Sequence, residues 1–417
     1  MAIVKPFRGV RPPAEFVEEV ACLPYDVMNT EEAREMAKGK EKSLLHITRS
    51  EIDFPEDTDP HSQQVYDRSR EMFEQFQRAG WLAQDEKPKF YIYAQTMNNQ
   101  TQYGIVGAAA VDDYMNGVIK KHELTRPDKE EDRMKIIRVN NAELEPVFFT
   151  FPAVSELDAI IERVVQSQAP EYDFVADDGF GHHFWVIEDD ATIEQVERLF
   201  AEKAPYTYVA DGHHRTAAAA LVGKEKKENN PNHRGDEAYN YFMAVHFPDN
   251  QLQILDYNRV IKDLNGHTPE QFIGKLADSF AIEEKGGSPY RPTELHELSM
   301  YLDGKWYALK ARPGTYDDND PIGVLDVTIV TNRILEPILD IQDLRRSKRI
   351  DFVGGIRGLE ALQHRVDSGE MAVAFALYPV SLKQLITIAD TGNIMPPKTT
   401  WFEPKLRSGL VLYKFEE

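Results

Sequence analysis

The sequence is poor in cysteine and in positive charge. Its 417 residues include one cysteine, and the formal net charge is −22. A single cysteine, Cys22, excludes an internal disulfide, which favours a reducing, cytoplasmic environment. The excess of acidic groups repels phosphodiester backbones, and the two short basic stretches, 224–227 and 344–349, contain no aromatic residues for base stacking. We therefore expect no nucleic-acid partner.

Long hydrophobic runs and several signature motifs are also missing. A membrane-spanning helix needs roughly eighteen consecutive apolar residues, and no such run occurs. The N-terminal residues lack the apolar stretch and small-residue cleavage site of a signal peptide. We expect no membrane association and no export. The pattern GxxxxGK[ST], a strand-linked GxGxxG and the GxSxG elbow are all absent, so the commonest nucleotide-binding and serine-hydrolase signatures are excluded.

The length predicts more than one domain. Strand-like and helical patterns alternate, which indicates the α/β (α+β) class. We predict an N-terminal α/β region at 1–103, a core at 104–260 and a C-terminal α/β domain at 261–417. The clearest elements are a helix at 62–82 and a β-hairpin at 87–114. The polar stretch 224–237 has no periodicity, which predicts a long exposed loop, a mobile flap among the alternatives.

The densest polar cluster is DGHHR, inside the stretch YTYVADGHHRTAAAALVG at 206–223. An apolar strand pattern ends at Asp211, Gly212 permits a sharp turn, and an alanine-rich helix starts at His213. A helix start offers unpaired amides and positive charge, the chemistry that holds phosphate. His214 and Arg215 add donors, and Asp211 is suited to ligate Mg²⁺ or to orient a histidine. The alternative is that Asp211 only caps the helix.

A second cluster lies in the stretch IKKHELTRPDKEEDRMKIIR at 119–138. Glu123 follows His122 in an extended segment among cations. A carboxylate in this setting can accept a proton from a hydroxyl nucleophile, although spacing alone favours a surface ion pair. A second histidine pair, His182-His183, precedes a strand and not a helix, so we interpret it as structural. Zinc is disfavoured, since no cysteine or HExxH spacing accompanies the histidines.

Two motifs in fixed order, KKHELT and then VADGHHRTAAA, resemble the ParB/sulfiredoxin-like nucleotide-binding superfamily, and within it the free-serine kinases. Nearly the whole chain also resembles a bacterial family of unknown function often labelled SpoOJ/ParA/ParB/RepB. That wider resemblance is carried by KPFRGVRP, LPYDVMN, KHELTRPDKEEDR, ADGHHR and MPPKTTWFEPKLRSGL. The chain lacks the basic helix-turn-helix of the DNA-partition proteins. Sulfiredoxin chemistry would require a cysteine near the DGHHR turn, and the sequence has none there.

The resemblance implies a ParB/sulfiredoxin-like core and assigns site residues. Glu123 corresponds to the catalytic glutamate of the kinases, with His122 before it and Asp211 beside the phosphate turn. The implied phosphate ligands are Gly212, His213, His214, Arg215 and Thr216. ATP or ADP with Mg²⁺ at Asp211 is the implied cofactor set.

Substrate contacts are predicted from segments near the chain ends and from one buried run. The residues are Tyr25, Asp26, Arg49, Lys398, Thr399 and Lys405. Arg49 is suited to clamp a carboxylate, and Lys398 to neutralise phosphate, with an ordinary surface lysine as its alternative.

The leading hypothesis is phosphoryl transfer from ATP or ADP to a small hydroxylated metabolite, with free L-serine giving O-phosphoserine as the first candidate. The expected partners are a nucleotide and a small-molecule substrate, and the chain is compatible with a homodimer. The alternatives are a non-catalytic nucleotide-binding regulator and a metal-dependent hydrolase that uses the His/Asp cluster.

Overall fold

The elements below come from a computed structural model that describes residues 1–415. Numbered in chain order, the strands are β1 Val4–Lys5, β2 Gly9–Arg11, β3 Ala83–Gln84, β4 Phe90–Met97, β5 Gln100–Ala110, β6 Ile119–Lys120, β7 Ala142–Glu143, β8 Val147–Phe151, β9 Tyr172–Val175, β10 Gly181–Ile187, β11 Thr207–Asp211, β12 Tyr241–Pro248, β13 Ile254–Leu255, β14 Tyr257–Ile261, β15 Phe280–Gly286, β16 Glu297–Leu302, β17 Lys305–Ala311, β18 Ile350–Gly354, β19 Val373–Ala376, β20 Trp401–Phe402 and β21 Leu412–Lys414.

The α-helices, numbered in the same way, are α1 Val17–Val20, α2 Thr30–Ala37, α3 Leu45–Thr48, α4 Gln63–Arg78, α5 Val111–Met115, α6 Pro127–Asn140, α7 Ser155–Ser167, α8 Asp190–Lys203, α9 His213–Asn229, α10 Pro269–Leu276, α11 Asp326–Val330, α12 Gly358–Asp367 and α13 Leu382–Asp390. Short 3-10 turns occur at Ala14–Phe16, Tyr25–Val27, Ser50–Asp53, Ala238–Asn240, Asp249–Gln251 and Gly355–Arg357, and a π-helical turn at Thr331–Leu335.

The described chain divides into two compact units. Unit 1 comprises Met1–Leu252 with the chain from Pro404 onward, and unit 2 comprises Gln253–Glu403. This differs from the predicted division at 103 and 260. The boundary at 103 falls inside the β4–β5 hairpin, where Tyr93 pairs with Gly104, so the first two predicted regions share one sheet. At the other end, β21 returns to unit 1 and pairs with β2 and β7.

The main sheet of unit 1 is mixed. Within residues 1–415 its strand order is β6-β11-β8-β12-β5-β4-β10-β9, with β1 paired to β5. β11 runs parallel to β6 and β12 parallel to β8, while the other pairs are antiparallel. Alternate apolar residues of β4, Phe90 and Ile92, pack with Leu157 of α7 and Phe200 of α8. The predicted hairpin is confirmed, and the class is mixed α/β.

A second core in unit 1 forms around α4 and α6. The spacing of Phe73 and Phe76 on α4 places both side chains in a buried cluster with Ile136 of α6 and Leu412 of β21. The small sheet β3-β2-β21-β7 belongs to the same unit. In the main sheet, His182 of β10 is buried and hydrogen-bonds the Tyr93 hydroxyl at 2.8 Å, in line with a structural role for the His182-His183 pair.

Helix α9 follows β11 directly and is longer than predicted. Its alanines, Ala217 to Ala220, are buried, which allows a close approach to neighbouring elements. The expected loop at 224–237 is wrong for its first part, because α9 continues to Asn229. Lysine and glutamate are good helix formers, and Lys224 and Glu228 form an i,i+4 ion pair at 3.8 Å.

Unit 2 is built on its own sheet, with strand order β15-β17-β16-β19-β14-β18 among the described residues. Its core includes Trp306, Val260 and the α12 residues Leu359 and Leu362. Toward the end of this unit, β18, α12, β19 and α13 follow one another as a strand–helix–strand–helix series.

Candidate functional site

The start of α9 is an uncapped helix N-terminus. Asp211 ends β11, and Gly212 adopts the left-handed conformation, with φ 87° and ψ 36°, before the helix begins at His213. The N-cap residue, Gly212, has no side chain with which to cap the helix. The amides of the first helical turn have no intrahelical acceptor, so they remain available to an anion. The buried hydroxyl of Thr216 donates to the Gly212 carbonyl at 2.9 Å and closes the turn, and its role as a phosphate ligand stays a prediction.

Glycine is required at position 212 on two counts. Its φ lies in the region that L side chains rarely adopt. A Cβ built at Gly212 would also lie 3.2 Å from Cζ of Arg215. The sharp turn from strand into helix therefore depends on this residue.

Two histidines pack against each other beside the turn. The rings of His122 and His213 lie 4.4 Å apart and are nearly perpendicular. His213 is 8% exposed, and its Nε2 has no hydrogen-bond partner among residues 1–415. Burial lowers the pKa of His122 to about 4 and the pKa of His213 well below its ordinary value. Both rings are neutral at pH 7, so they offer hydrogen bonds without charge.

His214 links the turn to the KHE segment. Its Nε2 accepts a hydrogen bond from the Arg126 amide at 3.1 Å. Burial lowers the pKa of His214 as well. One ring nitrogen of His214 therefore holds the segment that carries Glu123.

Arg215 lies among protein acceptors. It is 6% exposed, its Nη1 donates to the Pro146 carbonyl, and its Nη2 lies 3.7 Å from carboxylate oxygens of both Asp26 and Asp211. The sequence predicted that Arg215 contacts phosphate. Its guanidinium folds back against the turn, where Gly212 leaves room for it, and its contact with phosphate stays a prediction.

Lys405 joins the site from the C-terminal segment of unit 1. Its Nζ lies 3.5 Å from Asp211, and its side chain is 11% exposed. Burial alone would raise the pKa of Asp211, but Lys405 and Arg215 hold that pKa below its ordinary value. Asp211 is therefore ionised and flanked by two cations.

Arg49 and Tyr25 have structural partners. Arg49 donates to the Tyr25 carbonyl at 2.8 Å and the Met28 carbonyl at 3.1 Å, and pairs with Glu51 at 2.7 Å. These contacts hold the 3-10 turn that carries Asp26, and the role of Arg49 as a substrate clamp stays a prediction. The Tyr25 ring is buried under the guanidinium of Arg133, 3.8 Å from the ring centre.

Lys398 and Thr399 belong to unit 2. The Lys398 carbonyl accepts a hydrogen bond from Arg259 at 2.8 Å, and the Thr399 hydroxyl donates to the Pro396 carbonyl at 2.6 Å. Both residues thus have hydrogen bonds within that unit, and their substrate roles stay predictions.

Glu123 lies in the irregular segment between β6 and α6 and is half-buried. It directly follows His122, whose ring contacts His213. Its role as a base stays a prediction.

The sequence did not reveal Glu145 and Arg133. Glu145 is buried and accepts a hydrogen bond from the Tyr25 amide at 2.9 Å, and its other oxygen lies 3.7 Å from Nη1 of Arg133. Burial raises the pKa of Glu145. The available signal was an acidic residue inside the apolar run LEPVFF, where a charge needs a partner.

The side chains around the turn offer few ligands for a permanently bound metal ion. Among residues 1–415, no group of three or more His, Cys, Asp or Glu side chains is arranged to hold a metal ion. Mg²⁺ commonly binds one or two carboxylates together with substrate phosphates. Asp211 fits that donor set only when a nucleotide supplies the remaining oxygens.

The chain has structural neighbours of low similarity. A free serine kinase in complex with AMP has a TM-score of 0.36 at 12% identity, over 74% of this chain and 91% of that one. SbnI with a C-terminal truncation, from Staphylococcus aureus, gives 0.39 at 11%, over 73% and 85%. A conserved hypothetical protein from Pyrococcus furiosus gives 0.34 at 12%, over 74% and 95%. These values are too low to carry an argument about activity.

Sequence comparison gives the family. No curated protein matches the chain significantly. None of the helices in residues 1–415 combines the length and the apolar character that crossing a bilayer requires. The sequence model of one family matches residues 4–328. The chain therefore belongs to the family described as "Protein of unknown function (DUF1015)".

Proposed function

We propose that the N-terminus of α9 binds the terminal phosphates of ATP or ADP, and that the protein transfers a phosphoryl group to a small hydroxylated metabolite. The observation that carries this proposal is the uncapped turn at Gly212, with first-turn amides open to an anion and an unpartnered, buried His213 Nε2 beside it. An isolated buried polar atom of this kind is costly unless a ligand satisfies it.

The charge distribution supports a phosphate ligand. Lys405 reaches Asp211 from one side, and Arg215 lies under the turn. A nucleotide phosphate competes with Asp211 and Asp26 for these cations, and bound Mg²⁺ offsets the remaining negative charge. The neutral histidines add hydrogen bonds and leave the charge balance to Lys405, Arg215 and the metal.

The proposed base is Glu123. Its support is the resemblance of KKHELT to the kinase motif and its place next to His122, which packs on His213. In phosphoryl transfer the carboxylate would take the proton of the attacking hydroxyl as the hydroxyl oxygen bonds the terminal phosphorus. The bond from that phosphorus to its bridging oxygen breaks, and the shortened nucleotide leaves. Free L-serine is the first candidate acceptor.

The test is incubation with ATP or ADP, Mg²⁺ and a panel of hydroxy amino acids, followed by phosphorus NMR. We expect one new phosphomonoester signal with wild-type protein. Glu123→Gln should lose this signal and keep nucleotide affinity. The control is Glu131→Gln, which removes an exposed carboxylate paired with Arg138 and should leave transfer unchanged.

The other outcomes separate the alternatives. Nucleotide binding by the wild-type protein without transfer to any acceptor in the panel would replace the kinase proposal with a regulatory one. Hydrolysis of a substrate without nucleotide would favour the metal-dependent hydrolase.

A further inference from the structure

Glu145 connects segments that are distant in sequence and meet around the phosphate turn. Its Oε1 accepts hydrogen bonds from the Tyr25 amide at 2.9 Å and from the Ser408 hydroxyl at 3.2 Å. The next residue, Pro146, supplies the carbonyl that receives Arg215. All of these residues belong to unit 1.

The two hydrogen-bond partners stand close to the charged side chains that face the turn. Asp26 follows Tyr25 and lies 3.7 Å from Arg215. Lys405 precedes Ser408 in the same short segment and lies 3.5 Å from Asp211. Fixing Tyr25 and Ser408 therefore limits where these two charges can lie.

We propose that Glu145 is a positioning residue that sets the places of Asp26 and Lys405 around the Asp211–Arg215 turn. The inference rests on the proposed function for its consequence in nucleotide binding. Its structural content, that one buried carboxylate bonds both segments, rests on hydrogen bonds within unit 1.

A buried carboxylate suits this role because it accepts several hydrogen bonds at once. One Glu145 oxygen serves the two donors, and the other faces the guanidinium of Arg133 at 3.7 Å. Loss of the side chain leaves a buried amide and a buried hydroxyl without an acceptor, which costs about 1–3 kcal/mol for each group. We therefore expect both segments to become more mobile.

Glu143 provides a matched control on the same stretch of chain. It is equally buried, and its carboxylate accepts a hydrogen bond from the Met243 amide at 2.7 Å. Neither Tyr25 nor Ser408 is its hydrogen-bond donor in the contacts described. Replacement of Glu143 thus removes a buried acid without releasing the two segments.

The first experiment is hydrogen–deuterium exchange on the ligand-free full-length protein. In Glu145→Ala we expect exchange to rise about tenfold in the peptides that cover 24–28 and 404–409, in line with the loss of one hydrogen bond at each. Glu145→Gln should restore near wild-type exchange, because its amide oxygen still accepts. Glu143→Ala should leave both peptides unchanged.

The second experiment is calorimetric titration with ADP and Mg²⁺. Glu145→Ala should weaken binding about tenfold, and Glu145→Gln should recover most of the affinity. If wild-type protein binds no ADP, the proposed function fails, and exchange alone still decides the role of Glu145.

Unchanged exchange in both peptides of Glu145→Ala, or an equal rise in Glu143→Ala, overturns the inference. If Glu145→Ala does not fold, Ser408→Ala replaces it. That variant removes one of the two bonds, so exchange should rise in 404–409 and stay unchanged in 24–28. A rise in both peptides would contradict the assignment of separate contacts.

Discussion

The imidazole rings of His122 and His213 lie 4.4 Å apart, edge against face, although one follows an edge strand and the other opens α9. Burial and the positive end of the helix dipole both disfavour a proton on His213. The two histidines are therefore neutral hydrogen-bonding groups, and in the proposed function the positive charge for a phosphate comes from Lys405 and Arg215.

The neutral histidines predict an acid-sensitive fold. Burial lowers the pKa of His122 from 6.5 to about 4 in the folded protein, so the unfolded state binds its proton first as the pH falls. The contribution of His122 to the free energy of unfolding is fully present above pH 6.5. It falls by about 1.4 kcal/mol per pH unit between pH 6.5 and about 4. Between about pH 7.5 and 5.5, His122→Gln should lose about 1 kcal/mol less stability than wild type in urea unfolding. Equal losses in both proteins would show that His122 is not buried and neutral.

Gly212→Ala should damage both the turn and phosphate binding. The left-handed backbone costs an alanine about 1–2 kcal/mol, and its Cβ would also press on Arg215. We expect that loss in urea unfolding and at least about tenfold weaker ADP binding in calorimetry. Gly80→Ala is the control: Gly80 has φ +73°, and no atom lies within 4 Å of its added Cβ. It should lose similar stability and keep its ADP affinity.

Lys405→Met should weaken nucleotide binding with little loss of stability. Methionine preserves much of the buried stem, whereas the ammonium that faces Asp211 at 3.5 Å disappears. We expect about tenfold weaker ADP binding and a smaller effect on adenosine, which carries no phosphate. Lys405→Arg should recover part of the affinity. An equal loss for ADP and adenosine would contradict a phosphate contact.

The sequence predicted the local elements around the site better than the contacts between them. The β4–β5 hairpin and the β11–α9 junction follow from periodicity, a polar turn and one glycine, which are short-range signals. The direction of Arg215 and the internal use of the Thr216 hydroxyl depend on tertiary neighbours, so the pattern DGHHRT did not reveal them. The 224–229 segment was missed because polar composition resembles a loop, although its residues favour helix.

The sequence could not show how other site residues are placed around the turn, for a related reason. Asp26 and Lys405 reach the turn through long-range folding, and their motifs indicated only a general role in ligand contact. Glu145 had no motif at all. Its contacts appear only once the N-terminal turn and the C-terminal segment are brought together by the fold.

The most direct test of the central claim is amide NMR on protein labelled with ¹⁵N at glycine and histidine. If the α9 N-terminus holds the terminal phosphates, the resonances of Gly212, His213 and His214 should shift on addition of ADP and stay nearly unchanged with adenosine at equal occupancy. The same shifts with adenosine, or ADP binding that leaves these three amides undisturbed, would contradict the account.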